Sequence, residues 1–476
     1  MTVKSFSLIK RGPIFGVRHV QALFLFICCT LGIQMRVNVS VGIVAMTNAN
    51  STNADFPEFV WSEAEKSYML SSFFWGSLCT QFLGGYLSSQ YGAKQLLLAC
   101  TLGVSLLSLL TPTAVIYGGW QLFCVVRVFQ GIFQGVMFPC FYSHLAKWCP
   151  VEERNLLGGI TQTGMDIGSA LGFAVSGLVA ASDLGWPGMF YIPGILGILW
   201  SILWIHFGAN SPEECRIISL AEKKKIQLSL EQPINSSRNK AVPWKAIFTS
   251  VPFLALTVVK IAIAASFFTL MQQVPAYIHG IFKVGIKMNA VYSAIPYVFM
   301  CVLSYVFLIV ADTFTKGDDV NSIACWIPAA ALVAMGYVSV EHVATSVTLL
   351  IIAVSACAAQ VIGSSLNHID LAPDHAGILF GITNTLANAV GIVSPLFVGI
   401  IVSDEGNRLQ WRVVFIVIAV ILFIGNLIYV IFGKMEKQPW NESQDEVVDS
   451  KNDVEKAPGA TTTVEELNFP RFKFIA

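Results

Sequence analysis

Long apolar runs dominate this sequence of 476 residues and constrain its fold more than any other feature. A helix needs about 20 mainly apolar residues to cross the hydrocarbon core of a bilayer. Charged residues make up only 12% of the chain, against about 25% in a soluble protein. Twelve runs meet the length criterion, near 20–46, 67–89, 94–113, 119–146, 156–181, 187–208, 252–279, 289–311, 322–340, 344–366, 376–403 and 411–433. The pattern predicts an all-α membrane protein with twelve transmembrane helices.

A polar, basic segment between the sixth and seventh runs divides the chain into two six-helix halves. The tail that follows Lys434 has the low hydropathy of a disordered segment. We predict a cytoplasmic N-terminus at 1–19, an N-terminal six-helix half at 20–208, a cytoplasmic linker at 209–251, a C-terminal six-helix half at 252–433 and a disordered cytoplasmic tail at 434–476.

The two halves share a short internal repeat. The sequence GITQT at 159–163 opens the fifth run, and GITNT at 381–385 opens the eleventh. Each follows a proline and a short charged loop. Two six-helix halves with parallel repeats are typical of secondary transporters with the major facilitator fold.

Lysine and arginine in the short loops predict the orientation. With both termini in the cytoplasm, 21 of the 29 Lys and Arg residues fall on the cytoplasmic side and 5 on the outside. The first outer loop then contains the sequon Asn50-Ser51-Thr52, so we expect Asn50 to be glycosylated. The twelve runs and this orientation together predict a multi-pass protein embedded in the lipid bilayer, with both termini in the cytoplasm.

Composition and motifs exclude several function classes. The formal net charge is zero, so no global field attracts nucleic acid. The sequence contains no Ser/His/Asp set that would indicate an enzyme. It also contains no Cys/His cluster that would indicate a metal site or a bound cofactor. A membrane receptor without transport remains a competing function, although twelve spans and an internal repeat argue against it.

Three long motifs resemble the anion transporter family of sialin, the vesicular glutamate transporters and the type I sodium–phosphate cotransporters. They are SSFFWGSLCTQFLGGYLSSQYGAK in the second span and its loop, RVFQGIFQGVMFP in the fourth span, and NHIDLAPDHAGILFGITNT before and within the eleventh. The resemblance covers about residues 15–435. It implies an anion transporter with a central cavity between the two halves.

The chain departs from that family at positions linked to proton coupling. Where sialin-like and glutamate-type members have fourth-span glutamates, this chain has Gln130 and Gln134. The second-span histidine of glutamate transporters matches Leu70, and their seventh-span arginine matches Ile263. The amide pair resembles the sodium–phosphate branch and argues against proton coupling through the fourth span.

Two arginines lie in the middle of predicted spans, Arg36 in the first and Arg127 in the fourth. Placing arginine in hydrocarbon costs at least ~2.5 kcal/mol on insertion scales, so each must face a cavity or a partner. A guanidinium offers a planar fork of donors that matches carboxylate or phosphate. We therefore predict an anion site formed by Arg36, Asn38, Arg127, Gln130, Gln134 and Asn384. The alternative is that Arg127 has only a structural role and stabilises the contact between helices.

Two further charges are candidates for coupling. Asp166 lies eleven residues into the fifth span and is the only carboxylate near mid-bilayer in the sequence pattern. It could bind sodium, carry a proton, or form a salt bridge with Arg127 or Lys260. Lys260 lies about two turns from the cytoplasmic end of the seventh span and could instead extend its ammonium to the interface.

The sequence thus predicts a secondary active transporter that couples a small inorganic or organic anion, such as phosphate, to sodium. A proton-coupled transporter of acidic sugars or acidic amino acids is the alternative. The coupling cation is the only small partner expected besides the anion. The N-terminal segment has no convincing dileucine-type sorting signal, which favours the plasma membrane over lysosomal or vesicular membranes.

Overall fold

The computed structural model describes residues 15–48, 55–150, 153–230, 242–310, 317–361, 367–372, 375–434 and 436–441. Its regular elements are helical. In chain order they are α1 Val17–Met46, α2 Glu63–Tyr91, α3 Ala93–Gln134, α4 Met137–Trp148, α5 Arg154–Ala180, α6 Gly185–Phe207, α7 Leu220–Leu230, α8 Trp244–Thr249, α9 Val251–Phe282, α10 Ile286–Val310, α11 Gly317–Tyr337, α12 Val343–Ala356, α13 Asn367–Leu371, α14 Ala376–Ile401 and α15 Arg408–Phe432, with 3-10 turns at Cys357–Val361 and Pro439–Asn441.

Within the described residues, nine helical stretches are long and apolar enough to cross a membrane. One of them, Ala93–Trp148, runs for 56 residues and contains both the third and the fourth predicted spans. Its backbone leaves helical geometry at Gly119, where φ is 59°. The two other predicted spans are α2 and the shorter helix α11. The predicted all-α fold is confirmed, and its spans agree with the helices apart from their boundaries.

Small residues allow the spans of the N-terminal half to approach closely. Helix α5 packs along α1. A Cβ atom added at Gly168 would lie 2.6 Å from the carbonyl oxygen of Thr30. Glycine at such a crossing lets two helix backbones touch. The halves then meet along three main pairs of helices, α5 with α10, α2 with α14 and α1 with α9.

The two halves contact each other on both sides of the bundle. We call the side that carries Val17, α7 and Phe432 the terminal side, and the opposite side the far side. On the far side, Lys66 of α2 bonds Glu405 beyond α14. On the terminal side, a Cβ added at Gly377 or Gly381 of α14 would meet nothing within 4 Å. The halves therefore meet on the far side through an ion pair, and on the terminal side the Phe380 ring of α14 lies 6.0 Å from the Tyr142 ring of α4.

The helix α7 of the linker is tied to the N-terminal half by buried charges. Arg18 is 1% exposed and bonds Glu153 at 2.6 Å and Glu222 at 3.1 Å. The Glu222 carboxylate also accepts the backbone N–H groups of Val17 and Arg18, and so caps α1. Burial alone would raise the pKa of Glu153, but hydrogen bonds from Arg18 and Lys225 hold that pKa below its ordinary value. Helix α7 is thus attached to the half that contains α1.

Candidate functional site

Arg127 lies on α3 and is 3% exposed. Its Nη1 donates to the Met35 carbonyl at 3.2 Å and to Gln130 Oε1 at 2.8 Å. Its Nη2 donates to the Arg36 carbonyl at 3.2 Å. Within the described residues, its Nε has no partner and no carboxylate pairs with it. Among the described residues, the charge is stabilised by these neutral oxygens and by the Phe73 ring, whose centroid lies 4.9 Å from the Arg127 Cζ.

Arg36 lies on α1 beside Arg127 and contacts three aromatic rings. Its Cζ is 5.2 Å from the Phe73 centroid, 4.4 Å from Phe74 and 5.3 Å from Phe268. Among described atoms, its Nε and Nη2 have no hydrogen-bond partner. Cation–π contacts stabilise a guanidinium without using its N–H donors. Arg36 therefore keeps donors that can bind an anion.

A cavity of about 20 Å³ adjoins Arg36. That volume holds about one water molecule, so an anion requires the site to open. Residues of both halves line it, namely Arg36, Phe73, Ser77, Gln81, Gln134, Gly135, Met137, Phe138 and Asn388. A short turn lies here in the fourth span, between the end of α3 at Gln134 and the start of α4 at Met137. Pro139 has no N–H, so the Gly135 carbonyl lacks its helical donor.

The structure brings part of the predicted anion site together. Gln130 bonds Arg127, and Gln134 lines the cavity with an amide oxygen that lacks a partner among described atoms. Asn384 is half-buried on α14, and its carbonyl accepts a bond from the Asn388 side chain at 2.9 Å. Asn38 is separate, because it is fully buried and donates to the Met189 carbonyl of α6 at 3.0 Å.

The coupling candidates Asp166 and Lys260 lie apart from the two arginines. Asp166 Oδ2 accepts a hydrogen bond of 3.1 Å from Ser304 of α10, at the contact between the halves. Within the described part of the chain, no ion pair joins it to Arg127. Lys260 of α9 lies near Cys325 of α11, inside the C-terminal half. The geometry thus gives Arg127 and Asp166 separate surroundings.

Sequence reasoning missed the aromatic surroundings of Arg36. Aromatic residues of a span commonly lie at the membrane interface, whereas Phe73 and Phe74 lie against Arg36. Phe268 lies far away in the sequence, so no spacing links it to Arg36. Asn388, one turn beyond Asn384, was also missed. Asn50, the predicted glycosylation site, lies outside the described residues.

Comparisons with known proteins agree with this fold. Residues 22–395 match the family model described as Major Facilitator Superfamily. A Drosophila melanogaster protein named "Putative inorganic phosphate cotransporter" is 33% identical, over 94% of this chain and 89% of its own length. Sialin of Homo sapiens is 31% identical over 89% of this chain and 91% of its own. Vesicular glutamate transporter 3 of Danio rerio is 31% identical over 91% of this chain and 77% of its own.

Two solved structures show the same architecture at low sequence identity. A bacterial homolog of the human lysosomal transporter Spinster, inward-facing and occupied, gives a TM-score of 0.66 at 14% identity, over 88% of this chain and 98% of its own. A D-xylose–proton symporter gives 0.64 at 14% identity, over 88% of this chain and 100% of its own. The chain therefore belongs to the major facilitator superfamily, within the anion transporter family of sialin, the vesicular glutamate transporters and the inorganic phosphate cotransporters.

Proposed function

We propose that this transporter carries inorganic phosphate or a small organic anion by alternating access, in symport with sodium. The observation that supports it best is the pair Arg36 and Arg127. Both guanidinium groups lie between spans, and neither has a carboxylate partner among the described residues. Such charges in a membrane are functional candidates by default.

Phosphate or carboxylate suits this site for a geometric reason. The guanidinium fork presents parallel N–H donors that match two oxygens of either anion. The free donors of Arg36 and the Gln134 amide lie at the same cavity. A bound anion would supply the negative charge that the two arginines lack. The remaining polar lining residues, Ser77, Gln81 and Asn388, would orient it.

We propose that Asp166 binds the sodium ion that is coupled to anion transport. Its carboxylate is half-buried at the contact of α5 with α10, and its described partner is the neutral Ser304 hydroxyl. Oxygen ligands with negative charge suit a hard cation. Gln130 and Gln134 carry no titratable proton, so the fourth span offers no carboxyl group for proton coupling. Lys260 is the second coupling candidate, although it lies in another part of the bundle.

Proton-coupled transport of acidic sugars or acidic amino acids is the alternative. Two features favour it: Asp166 could carry a proton in place of the absent glutamates, and sialin is among the relatives. In either case we assign the terminal side to the cytoplasm from the lysine and arginine distribution. We also propose residence in the plasma membrane and glycosylation at Asn50.

Uptake into proteoliposomes tests this proposal. Purified protein is reconstituted, and initial uptake of labelled phosphate, glutamate and sialic acid is measured with a sodium gradient or a proton gradient alone. We expect uptake of phosphate or another small anion under the sodium gradient. Uptake driven only by protons would establish the alternative, and no uptake of any anion would contradict transport at this site.

A further inference from the structure

Three charged side chains connect the halves on the far side, remote from the arginines. Glu63 and Lys66 lie on α2, and Glu405 lies on the loop between α14 and α15. The Lys66 ammonium donates to Glu63 at 2.7 Å and to Glu405 at 2.8 Å. Their side chains are 23%, 14% and 17% exposed. One ammonium between two ionised carboxylates leaves one formal negative charge in a mostly buried place, which is unfavourable without a counterion or a bound proton.

A cavity of about 20 Å³ adjoins these charges. It can hold one occupant of the size of a water molecule or a small ion. Its lining includes Ser40, Gln272 and Gln273 besides the three charged residues. Gln272 is 4% exposed, and neither its amide oxygen nor its amide nitrogen has a hydrogen-bond partner among the described atoms. Buried amides without partners are rare, so this one points to an occupant of the cavity.

A proline supplies a further oxygen beside the cavity. Pro275 has no N–H, so the carbonyl of Met271, four residues earlier in α9, lacks its helical donor. Instead it accepts the Ser40 hydroxyl of α1 at 3.4 Å, a long bond. In secondary transporters, carbonyls released from interrupted helices coordinate sodium. The lining of the cavity itself holds carboxylate, amide and hydroxyl oxygens, which are ligands of a hard cation.

We propose that this cavity is a second cation site, which binds one sodium-sized monovalent cation between Glu63, Glu405 and Gln272. The single excess negative charge matches a monovalent ion and disfavours an anion. Glu63 and Ser40 belong to the N-terminal half, whereas Glu405 and Gln272 belong to the C-terminal half. A cation held by both halves stabilises the state in which the far side is closed. The identity of the ion as sodium rests on the proposed function, but the site is separate from Asp166.

Sodium-dependent thermal stability of the purified protein tests this site without transport. Melting temperatures are measured in sodium chloride and in choline chloride at equal concentration, in an Asp166→Asn background that removes the other proposed ligand. A ligand that binds only the folded state raises its stability by RT ln(1 + c/Kd), where c is the ligand concentration, so the melting temperature keeps rising with the logarithm of the ligand concentration above Kd. We expect such a sodium-specific rise, and we expect Glu63→Gln to abolish it.

Matched variants make the result decisive. Glu341→Gln removes an exposed far-side carboxylate and should leave the sodium effect unchanged. If Glu63→Gln unfolds, Gln272→Leu removes an amide ligand without disturbing the ion pairs. It should raise at least tenfold the sodium concentration needed for a given increase in melting temperature. The inference is overturned if the Asp166→Asn protein shows no sodium effect, or if both site variants keep it. Sodium-independent uptake by the wild type would instead contradict the proposed function and leave this binding result standing.

Discussion

At the scale of single residues, the candidate anion site centres on a pair of arginines. The sequence predicts that Arg36 and Arg127 border one cavity, because both are charged and both lie within spans. The structure places them in contact, because Arg127 donates to the Arg36 carbonyl, but of the two only Arg36 lines the cavity. The ring contacts of Phe73, Phe74 and Phe268 could not be predicted, since they depend on how three separate helices pack.

Asp166 gives the first prediction at this scale. Asp166→Asn should fold normally, because asparagine can still accept the hydrogen bond from Ser304. It removes the charge that a hard cation favours, so the sodium concentration for half-maximal uptake should rise at least tenfold. This sodium concentration is obtained by measuring the initial uptake rate as a function of sodium concentration, normalised to the amount of surface protein.

Asp183→Asn is the control, because that carboxylate lies in an exposed turn on the far side. Unchanged sodium dependence of Asp166→Asn at normal expression would exclude a coupling role. Poor folding of the same variant would instead indicate that the carboxylate is structural.

At the scale of elements, close helix crossings position Arg127. A Cβ atom at Gly131, one turn after Arg127, would meet the carbonyl oxygen of Phe73 on α2. A Cβ atom at Gly76 would meet the carbonyl oxygen of Val128 on α3. The sequence predicted the all-α fold and its spans. It did not predict the turn after Gln134, although Pro139 lies four residues after Gly135 and has no N–H to donate to the Gly135 carbonyl.

The second prediction concerns this crossing. Gly131→Ala should separate α2 from α3, because the clash involves backbone that no rotamer change relieves. Overpacking of this kind typically costs about 1–3 kcal/mol, and it should lower the melting temperature and reduce uptake together. Gly377→Ala is the matched control, since a Cβ there meets nothing within 4 Å. Equal effects of the two substitutions on melting temperature would show that the crossing is not tight.

At the scale of the whole molecule, the chain is a transporter of the major facilitator superfamily and not an enzyme. The two halves follow from the sequence, through the linker and the GITQT and GITNT repeat. The conformation of the transporter cannot be predicted from the sequence, because one sequence must support states that are closed on either side of the membrane. In this structure Lys66 and Glu405 join the halves on the far side. That long-range pair has no local signal in the sequence.

The third prediction concerns orientation in the membrane. Asn50→Gln should increase the gel mobility of protein made in a glycosylating cell, as enzymatic removal of glycans from the wild type should. Asn235→Gln should leave the mobility unchanged, because 209–251 is predicted to be cytoplasmic. A mobility shift for Asn235→Gln and none for Asn50→Gln would invert the assigned topology.

Equilibrium binding of labelled phosphate to purified protein tests the central claim most directly. Arg127→Lys retains the charge and loses the planar fork. Loss of a charged hydrogen bond costs about 1.5–3 kcal/mol, so binding should weaken roughly 10- to 100-fold. Arg412→Lys is the matched control. Arg412 also donates to a carbonyl group, that of Gly336, and its guanidinium stacks on the Tyr337 ring, but it does not line the cavity. The account predicts weakened binding for Arg127→Lys and wild-type binding for Arg412→Lys. Wild-type affinity in a folded Arg127→Lys protein would contradict it.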